Sequence, residues 1–309
     1  MKILVTGGAG FIGSNLVKQL QRDGVDQVAV IDDFSTGFRE NLKDLDVELF
    51  EGSILDRDLL GEAAAGAHAI VHLAARPSVP RSIQDPVASH HANATGTLYV
   101  LEAARKENAH VTLASSSSVY GANKVLPKSE DLRPMPISPY AVSKLATETY
   151  ALAYSEVYDL PVLPFRFFNV YGPGQAAGHA YAAVVPAFVD AALRGEPLPI
   201  NGDGLQTRDF TFVETVTQTI SKAARERIRS KDAVNLAFGT RYTLLDVIEI
   251  MESELGQQLP REFRDPRAGD VRDSQADNAA LMKLFPEIEP VGLEQGIAKT
   301  IEWFKMLSR

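Results

Sequence analysis

Tyr140 and Lys144 stand four apart in the run Tyr140-Ala-Val-Ser-Lys144. On a helix that spacing puts both on one face. An ammonium beside a phenol favours the phenolate, so the Tyr140 pKa is expected to fall. A nearby oxidised nicotinamide would push the same way, and such a Tyr is a base near neutral pH. Alone, the pair reads more readily as a surface Tyr/Lys pair, common on helices. About twenty residues earlier, Ser115-Ser-Ser-Ser118-Val119-Tyr120-Gly121 offers hydroxyls to a reacting oxygen, or is a Ser-rich turn. A second constellation opens the chain. Thr6-Gly7-Gly8-Ala9-Gly10-Phe11-Ile12-Gly13 spaces three glycines for a tight turn, a close approach to pyrophosphate and helix–strand packing. The helix that follows offers free N–H groups and a positive dipole end to phosphate. Asp32 lies about twenty residues further on, where a carboxylate accepts the adenosine ribose hydroxyls. It and Asp33 would repel a 2′-phosphate, so NAD is favoured over NADP; otherwise Asp32 is a turn residue.

These groups need elements to hold them. Apolar runs at 3–5, 28–31, 47–50, 69–73, 111–114 and 162–168 read as strands, and helical spacing fills 11–21 and 86–107. Ser138-Pro139 marks a helix start before Tyr140. Strands alternating with helices imply an α/β fold with a doubly wound parallel sheet, covered on both faces. After about residue 175 the rhythm changes. Helical stretches at 181–194, 213–229 and 243–255 alternate with extended pieces at 198–201 and 209–212. Residues 258–275 read as an ordered loop, and a last helix covers 293–307. The expected division is 1–175 for a Rossmann-like dinucleotide domain and 176–309 for a smaller α/β substrate domain, with some later segments crossing over.

Composition narrows the class. The 309 residues are 45% hydrophobic and 23% charged, which excludes a mainly disordered chain. The net charge of −9 argues against a nucleic-acid partner. There is no cysteine, hence no disulfide, thiol catalysis or Cys-based zinc site. The apolar run at the N-terminus is too short for a secretory signal. No uncharged apolar stretch of about 20 residues suggests a membrane span, so a cytoplasmic protein is expected. His90 and His91 point about 100° apart with no third ligand in view, so no metal is expected.

The glycine loop, Asp32, Leu73-Ala-Ala75, the Ser-Val-Tyr-Gly segment, Tyr140/Lys144 and Arg166-Phe-Phe-Asn-Val-Tyr-Gly-Pro173 occur in order over nearly the whole chain. Together they resemble the extended short-chain dehydrogenase/reductases, and within them the NAD-dependent UDP-sugar 4-epimerases. The resemblance implies a catalytic triad of Ser116, Tyr140 and Lys144. It implies NAD contacts from Gly7, Gly10, Phe11, Ile12 and Gly13, and from Asp32, Asp33, Ser35, Thr36 and Gly37. Ser53, Ile54, Leu73, Ala74, Ala75 and Phe167, with Tyr140 and Lys144, complete the cofactor set. One departure is Gly52-Ser53-Ile54, where the family usually has Gly-Asp and the Asp meets the adenine amino group. Ser53 is a weaker acceptor.

The same resemblance implies the reaction. Hydride leaves C4 of a nucleotide sugar for NAD⁺, giving a 4-keto sugar. Dehydratases of the family carry Asp and Glu directly after the catalytic Ser or Thr, and UDP-glucuronate decarboxylases carry Glu there. Here those positions are Ser117 and Ser118, so elimination is not expected and the ketone is reduced again. Return of hydride to the other face is epimerisation: Tyr140 takes and returns the O4 proton, Ser116 relays or orients it, and Lys144 lowers the phenol pKa and holds the nicotinamide ribose. Simple 4-ketoreduction would need exchangeable, usually phosphorylated, cofactor, and Asp32 counts against it. An NAD-sensing regulator can share this fold, but such proteins commonly lose the Tyr or the Lys.

For the substrate, Asn169, Arg208 and Arg272 are implied to grip the diphosphate, while Ala183, Val184 and Asn201 hold uridine with Asp270 at that end. Arg suits bidentate phosphate binding, although a surface Arg is as readily an ion-pair partner. Ser78, Arg81, Ser116, Ser117, Ser118 and Tyr140 complete the set. Ser274 matches a position where epimerases restricted to UDP-glucose and UDP-galactose carry Tyr; a small residue there opens room for a 2-N-acetyl group. The runs 78–82, 181–186, 200–204 and 269–274 also resemble bacterial UDP-N-acetylglucosamine 4-epimerases. UDP-GlcNAc/UDP-GalNAc is therefore the expected pair, with UDP-Glc/UDP-Gal as a further one. UDP-glucuronate 4-epimerases share the four-serine run but usually carry Thr where Asn169 stands. The helices near 86–107 and 138–158 resemble those of a four-helix dimer interface, so a homodimer is expected.

Overall fold

Ile3, Leu4 and Val5 are all fully buried, yet they face opposite ways. Ile3 and Val5 join a core with Leu16, Val30, Phe165, Val216 and Ile220. Leu4 joins another with Ala29, Ile70, Leu101, Val111 and Ala151. A strand apolar on both faces must lie in a sheet covered twice, and parallel strands linked by helices supply that. The computed structural model describes residues 1–177, 183–266 and 271–307. Its main sheet has seven strands, in the order Val234–Leu236, Val162–Phe167, His110–Ser116, Ala69–His72, Lys2–Thr6, Gln27–Asp32 and Glu48–Glu51. All neighbours are parallel. The direction of winding reverses between Lys2–Thr6 and Ala69–His72, and ligands bind at the carboxyl ends of strands at such a point.

Sequence and structure part in several places, three of which bear on the site and its sheet. The helix expected over 86–107 is interrupted: Pro86–His90 and Gly96–Glu107 flank a π-turn at His91–Thr95. The segment 258–275, read as a loop, contains the strand Arg261–Arg264, paired parallel to Leu198–Asn201. All four of its side chains are exposed, so main-chain pairing alone makes it a strand and no apolar pattern marks it. The seventh strand of the main sheet, Val234–Leu236, has only three residues, too few for a pattern.

The second half of the chain divides its loyalties. Helix Val213–Glu226 buries Val216, Ile220, Ala223 and Ala224 in the main-sheet core, as do Leu281 and Phe285 near the C-terminus. A separate core gathers Tyr171, Phe188, Ile200, Phe210, Phe212, Ile248, Ile297 and Phe304. Between them, Val119, Tyr120, Phe168, Ala237 and Ala276 form a small cluster. Among the described residues no helix is long and apolar enough to cross a membrane, and no group of metal-ligating side chains is found.

Candidate active site

The glycine loop leaves Lys2–Thr6 and enters helix Phe11–Arg22, with Gly10 as an N-cap that has no capping side chain. Its first-turn N–H groups are thus not claimed by a side-chain cap. Gly7 has φ +73°, and a Cβ there would lie 2.7 Å from the Ala74 nitrogen across the switch point. A Cβ on Gly13 would lie 2.2 Å from the Gly7 carbonyl oxygen. At Gly10 a Cβ would meet only the Gly7 oxygen, at 3.3 Å. Two glycines are therefore forced by packing, while the third keeps backbone bare where a diphosphate would lie. The Ala9 N–H donates to Asp32 Oδ2 at 2.9 Å and the Phe34 N–H to Oδ1 at 2.8 Å. Each carboxylate oxygen keeps a free lone-pair direction for a ribose hydroxyl. Burial raises the Asp32 pKa, and those two N–H groups offset part of the rise. Asp33 is exposed and accepts from the Ser35 N–H, and Ser35, Thr36 and Gly37 lead the chain back over Ala9. Ser53 accepts from the Leu55 N–H at 3.2 Å, leaving its hydroxyl proton for another partner. Ile54 is buried against Gly96. These features fit NAD.

The opposite wall is Leu73-Ala74-Ala75, which a buried chain of hydrogen bonds fixes. Thr97 Oγ1 gives its proton to the Asn93 carbonyl at 2.5 Å, so it accepts from His72 Nε2 at 3.0 Å. His72 Nδ1 then accepts from Thr6 Oγ1 at 2.7 Å, which in turn accepts from the Ala74 N–H at 3.2 Å. Only a neutral imidazole fits this order. Burial, with Lys144 second, pushes the His72 pKa down to about 3.

Ser116 ends the strand His110–Ser116, in register with Phe167 on the next strand. Tyr140 lies in the first turn of helix Pro139–Tyr158, whose N-cap Ser138 accepts from the Ala141 N–H at 3.2 Å. Ser82 adds a second anchor, accepting from the Tyr140 N–H at 3.0 Å. The Ser116 side chain stands near enough to the Tyr140 phenol to favour its ionised form. Lys144, one turn on, is 5% exposed and donates from Nζ to the Ala114 carbonyl at 2.8 Å. Burial lowers its pKa to about 8. The expected fall of the Tyr140 pKa is corrected here. Burial raises it, Ser116 pulls it down in part, and the ammonium is engaged at Ala114. Ser117 and Ser118 start the turn that follows. Ser118 Oγ is buried with no hydrogen-bond partner.

Ser78 caps the short helix Val79–Gln84 from a left-handed backbone (φ 96°), accepting from the Arg81 N–H at 3.4 Å. Five residues expected at the nucleotide end, Asn169, Ala183, Val184, Asn201 and Arg208, line one cavity of about 250 Å³. Ser116 and Tyr140 are not among its walls. Arg208 donates to the carbonyls of Thr207 and Arg272 at 2.8 and 3.0 Å, so the two arginines are neighbours. Arg272 is exposed and pairs with Asp203 at 2.9 Å. The Ser274 N–H donates to the Thr207 carbonyl, setting Ser274 beside Arg208. Asp270 lies outside the described residues, as do Tyr181 and Arg267.

The sequence reading missed several groups. Phe188, Gln206 and Phe210 also line the cavity. Phe188 and Phe210 belong to the second core, and nothing local in the sequence marks Gln206. Asp209, fully buried, accepts from the Thr240 hydroxyl and the Ala276 N–H, and burial raises its pKa to about 6. Its place beside Arg208 was the one available hint.

The chain is 38% identical to a UDP-glucose 4-epimerase of Mycolicibacterium smegmatis over the whole of both proteins. Its structure superposes with a TM-score of 0.92 on a UDP-N-acetylglucosamine 4-epimerase of Methanobrevibacter ruminantium, solved with UDP-N-acetylmuramic acid, at 33% identity over 99% of this chain and 98% of that one. A UDP-glucuronic acid 4-epimerase of Bacillus cereus, solved with UDP-glucuronic acid and NAD, gives 0.90 at 31% identity over 99% and 100%. The three names carry three different sugars. Residues 3–237 match the NAD dependent epimerase/dehydratase family, and with relatives of that kind aligning end to end, the chain belongs to it.

Proposed function

We propose that this NAD-dependent UDP-sugar 4-epimerase interconverts UDP-GlcNAc and UDP-GalNAc, and also accepts UDP-Glc and UDP-Gal. The supporting observation is the small Ser274 beside Arg208, where sugar-restricted epimerases carry Tyr. The diphosphate is held by Asn169, Arg208 and Arg272, and the nucleoside by the cavity of Ala183, Val184 and Asn201. When bound, NAD would supply the hydride acceptor and donor for C4. Tyr140, as phenolate, takes the O4 proton and later gives it back. Ser116, which favours the ionised phenol, stabilises that anion and orients O4. Lys144 keeps a positive charge behind the pair, fixed by Ala114. With Ser117 and Ser118 following Ser116, no carboxylate stands there to remove a C5 proton, so the ketone turns over and is reduced on its other face.

Purified protein incubated with UDP-GlcNAc, UDP-Glc and UDP-GlcA separately, without added cofactor, tests the substrate. Formation of UDP-GalNAc, followed by NMR, is expected; no turnover of the acetylated sugar overturns the proposal. Ser274→Tyr is expected to lose the acetylated sugar selectively. Turnover confined to UDP-GlcA would instead favour the glucuronate reading that the four-serine run leaves open. We further propose a homodimer, because Val87, Val142, Tyr150 and Val157 expose apolar surface on the two helical segments expected to pair.

A further inference from the structure

Beneath the catalytic turn lies a buried ion pair that proton transfer itself does not use. Tyr140, Lys144 and Glu148 occupy i, i+4 and i+8 of one helix, a single face. All three meet the end of strand His110–Ser116: Tyr140 at Ser116, Lys144 at the Ala114 carbonyl, and Glu148 at Ser115, whose hydroxyl donates to Oε2 at 2.7 Å. Ser115 is in register with Arg166 on the neighbouring strand. Arg166 grips both carboxylate oxygens of Glu148, Nη2 to Oε1 at 2.7 Å and Nε to Oε2 at 3.1 Å. Its remaining Nη1 donates to the Tyr120 hydroxyl at 2.9 Å, and the guanidinium lies 4.8 Å from the Tyr120 ring centre. Tyr120 donates to Asn235 at 2.6 Å. Glu148 and Arg166 are only 2% and 5% exposed. Such a pair adds little stability over apolar packing, because desolvation offsets the attraction. What a bidentate, fully satisfied pair does supply is a fixed geometry.

We propose that Ser115, Glu148 and Arg166 are positioning residues, which lock the register of the helix that carries Tyr140 and Lys144 against the strand end and so set where Tyr140 stands relative to Ser116. The proposal rests on the reading of Tyr140 as the proton-transferring group. Charged groups facing the lock are Lys144 one turn back and Glu130, whose carbonyl also accepts from Arg166. If the lock slackens, Ser116 no longer favours the phenolate, so the Tyr140 pKa rises and activity near neutrality falls.

The test is the pH dependence of kcat for the NAD-loaded enzyme with Ser115→Ala and Ser115→Thr. Ser115→Ala should lower kcat at pH 7 by about 3- to 10-fold, the value of one hydrogen bond. KM should stay within about twofold, and the rising limb of the profile should move to higher pH, so activity recovers in base. Ser115→Thr, which keeps the hydroxyl, should restore both. A lowered melting temperature in Ser115→Ala with a wild-type profile overturns the proposal, since that is what simple packing would give. Tyr140→Phe runs alongside: if it stays active, the reading of the site fails and the positioning proposal with it. If it is dead while Ser115→Ala keeps its profile, the positioning proposal alone fails.

Discussion

Removing one oxygen separates chemistry from binding in this site. Tyr140→Phe keeps the ring, the helix and the Ser82 anchor on the Tyr140 N–H, but removes the hydroxyl proposed to exchange a proton. Turnover should drop by about 10²- to 10⁴-fold, the usual worth of a positioned acid–base group. Bound NAD, read from absorbance after denaturation, should be unchanged; loss of NAD together with activity would mean that Tyr140 is chiefly a cofactor contact. At this scale the sequence was legible wherever chemistry follows from spacing along the chain. Tyr140/Lys144 and Gly7/Gly10/Gly13 are such cases. It was illegible where chemistry follows from neighbours distant in sequence. The phenol was expected to be acidified by Lys144, but the ammonium is drawn to a carbonyl thirty residues away and burial decides the direction. Gln206 and Asp209 were missed because only the folded backbone brings them to Asn201, Thr240 and Ala276.

At the level of elements, the parts legible in the sequence are those with buried apolar faces. The strands of the switch point and the catalytic helix are of this kind, and Ser138-Pro139 marks the helix start correctly. The π-turn at His91–Thr95 leaves no composition signal, since it keeps helical spacing on either side. Strand Arg261–Arg264 is held through its backbone, and sequence patterns report only side chains. Capping of the catalytic helix is a testable consequence. Ser138 accepts from the Ala141 N–H, next to the proposed proton-transfer residue Tyr140. Ser138→Ala should cost about 1 kcal/mol of stability in urea unfolding, and Ser138→Asp should retain it. Because the lost cap frays the turn that carries Tyr140, kcat should fall in Ser138→Ala while affinity for the UDP-sugar, proposed to be held by Asn169, Asn201 and Arg208, stays unchanged. An unchanged kcat would show that Ser82 alone fixes this turn.

For the whole molecule, the two halves of the chain share one core: Val216, Ile220 and Phe285 from the second half complete the packing under the main sheet. Charge on the exposed apolar helices tests the proposed dimer, and Val87→Arg should yield monomer by light scattering. Acid stability follows from groups sealed in the shared core. His110 is fully buried; its Nε2–H donates to the Ile228 carbonyl at 2.7 Å, and its Nδ1 has no partner. Burial pushes its pKa down to about 4, and His72 lies lower still, at about 3. In the unfolded chain both titrate near 6.5. Between pH 6.5 and 4 the unfolded state therefore binds protons that the folded state refuses, and stability falls as pH falls. Asp209 acts the other way. Its pKa is about 6 when folded and about 3.8 when free, so acid favours the folded form across that window. Burial raises Asp32 and Glu130 in the same sense as Asp209, but the two histidines with their larger shifts, joined by Glu102, whose carboxyl Arg105 holds low, outweigh them, so the urea midpoint should decline from pH 7 towards pH 4. His110→Gln tests the main term away from the active site. The amide can keep a donor on the Ile228 carbonyl but cannot take up a proton. The variant should lose less stability than wild type over the same pH interval, and a slope parallel to wild type would place the acid sensitivity elsewhere.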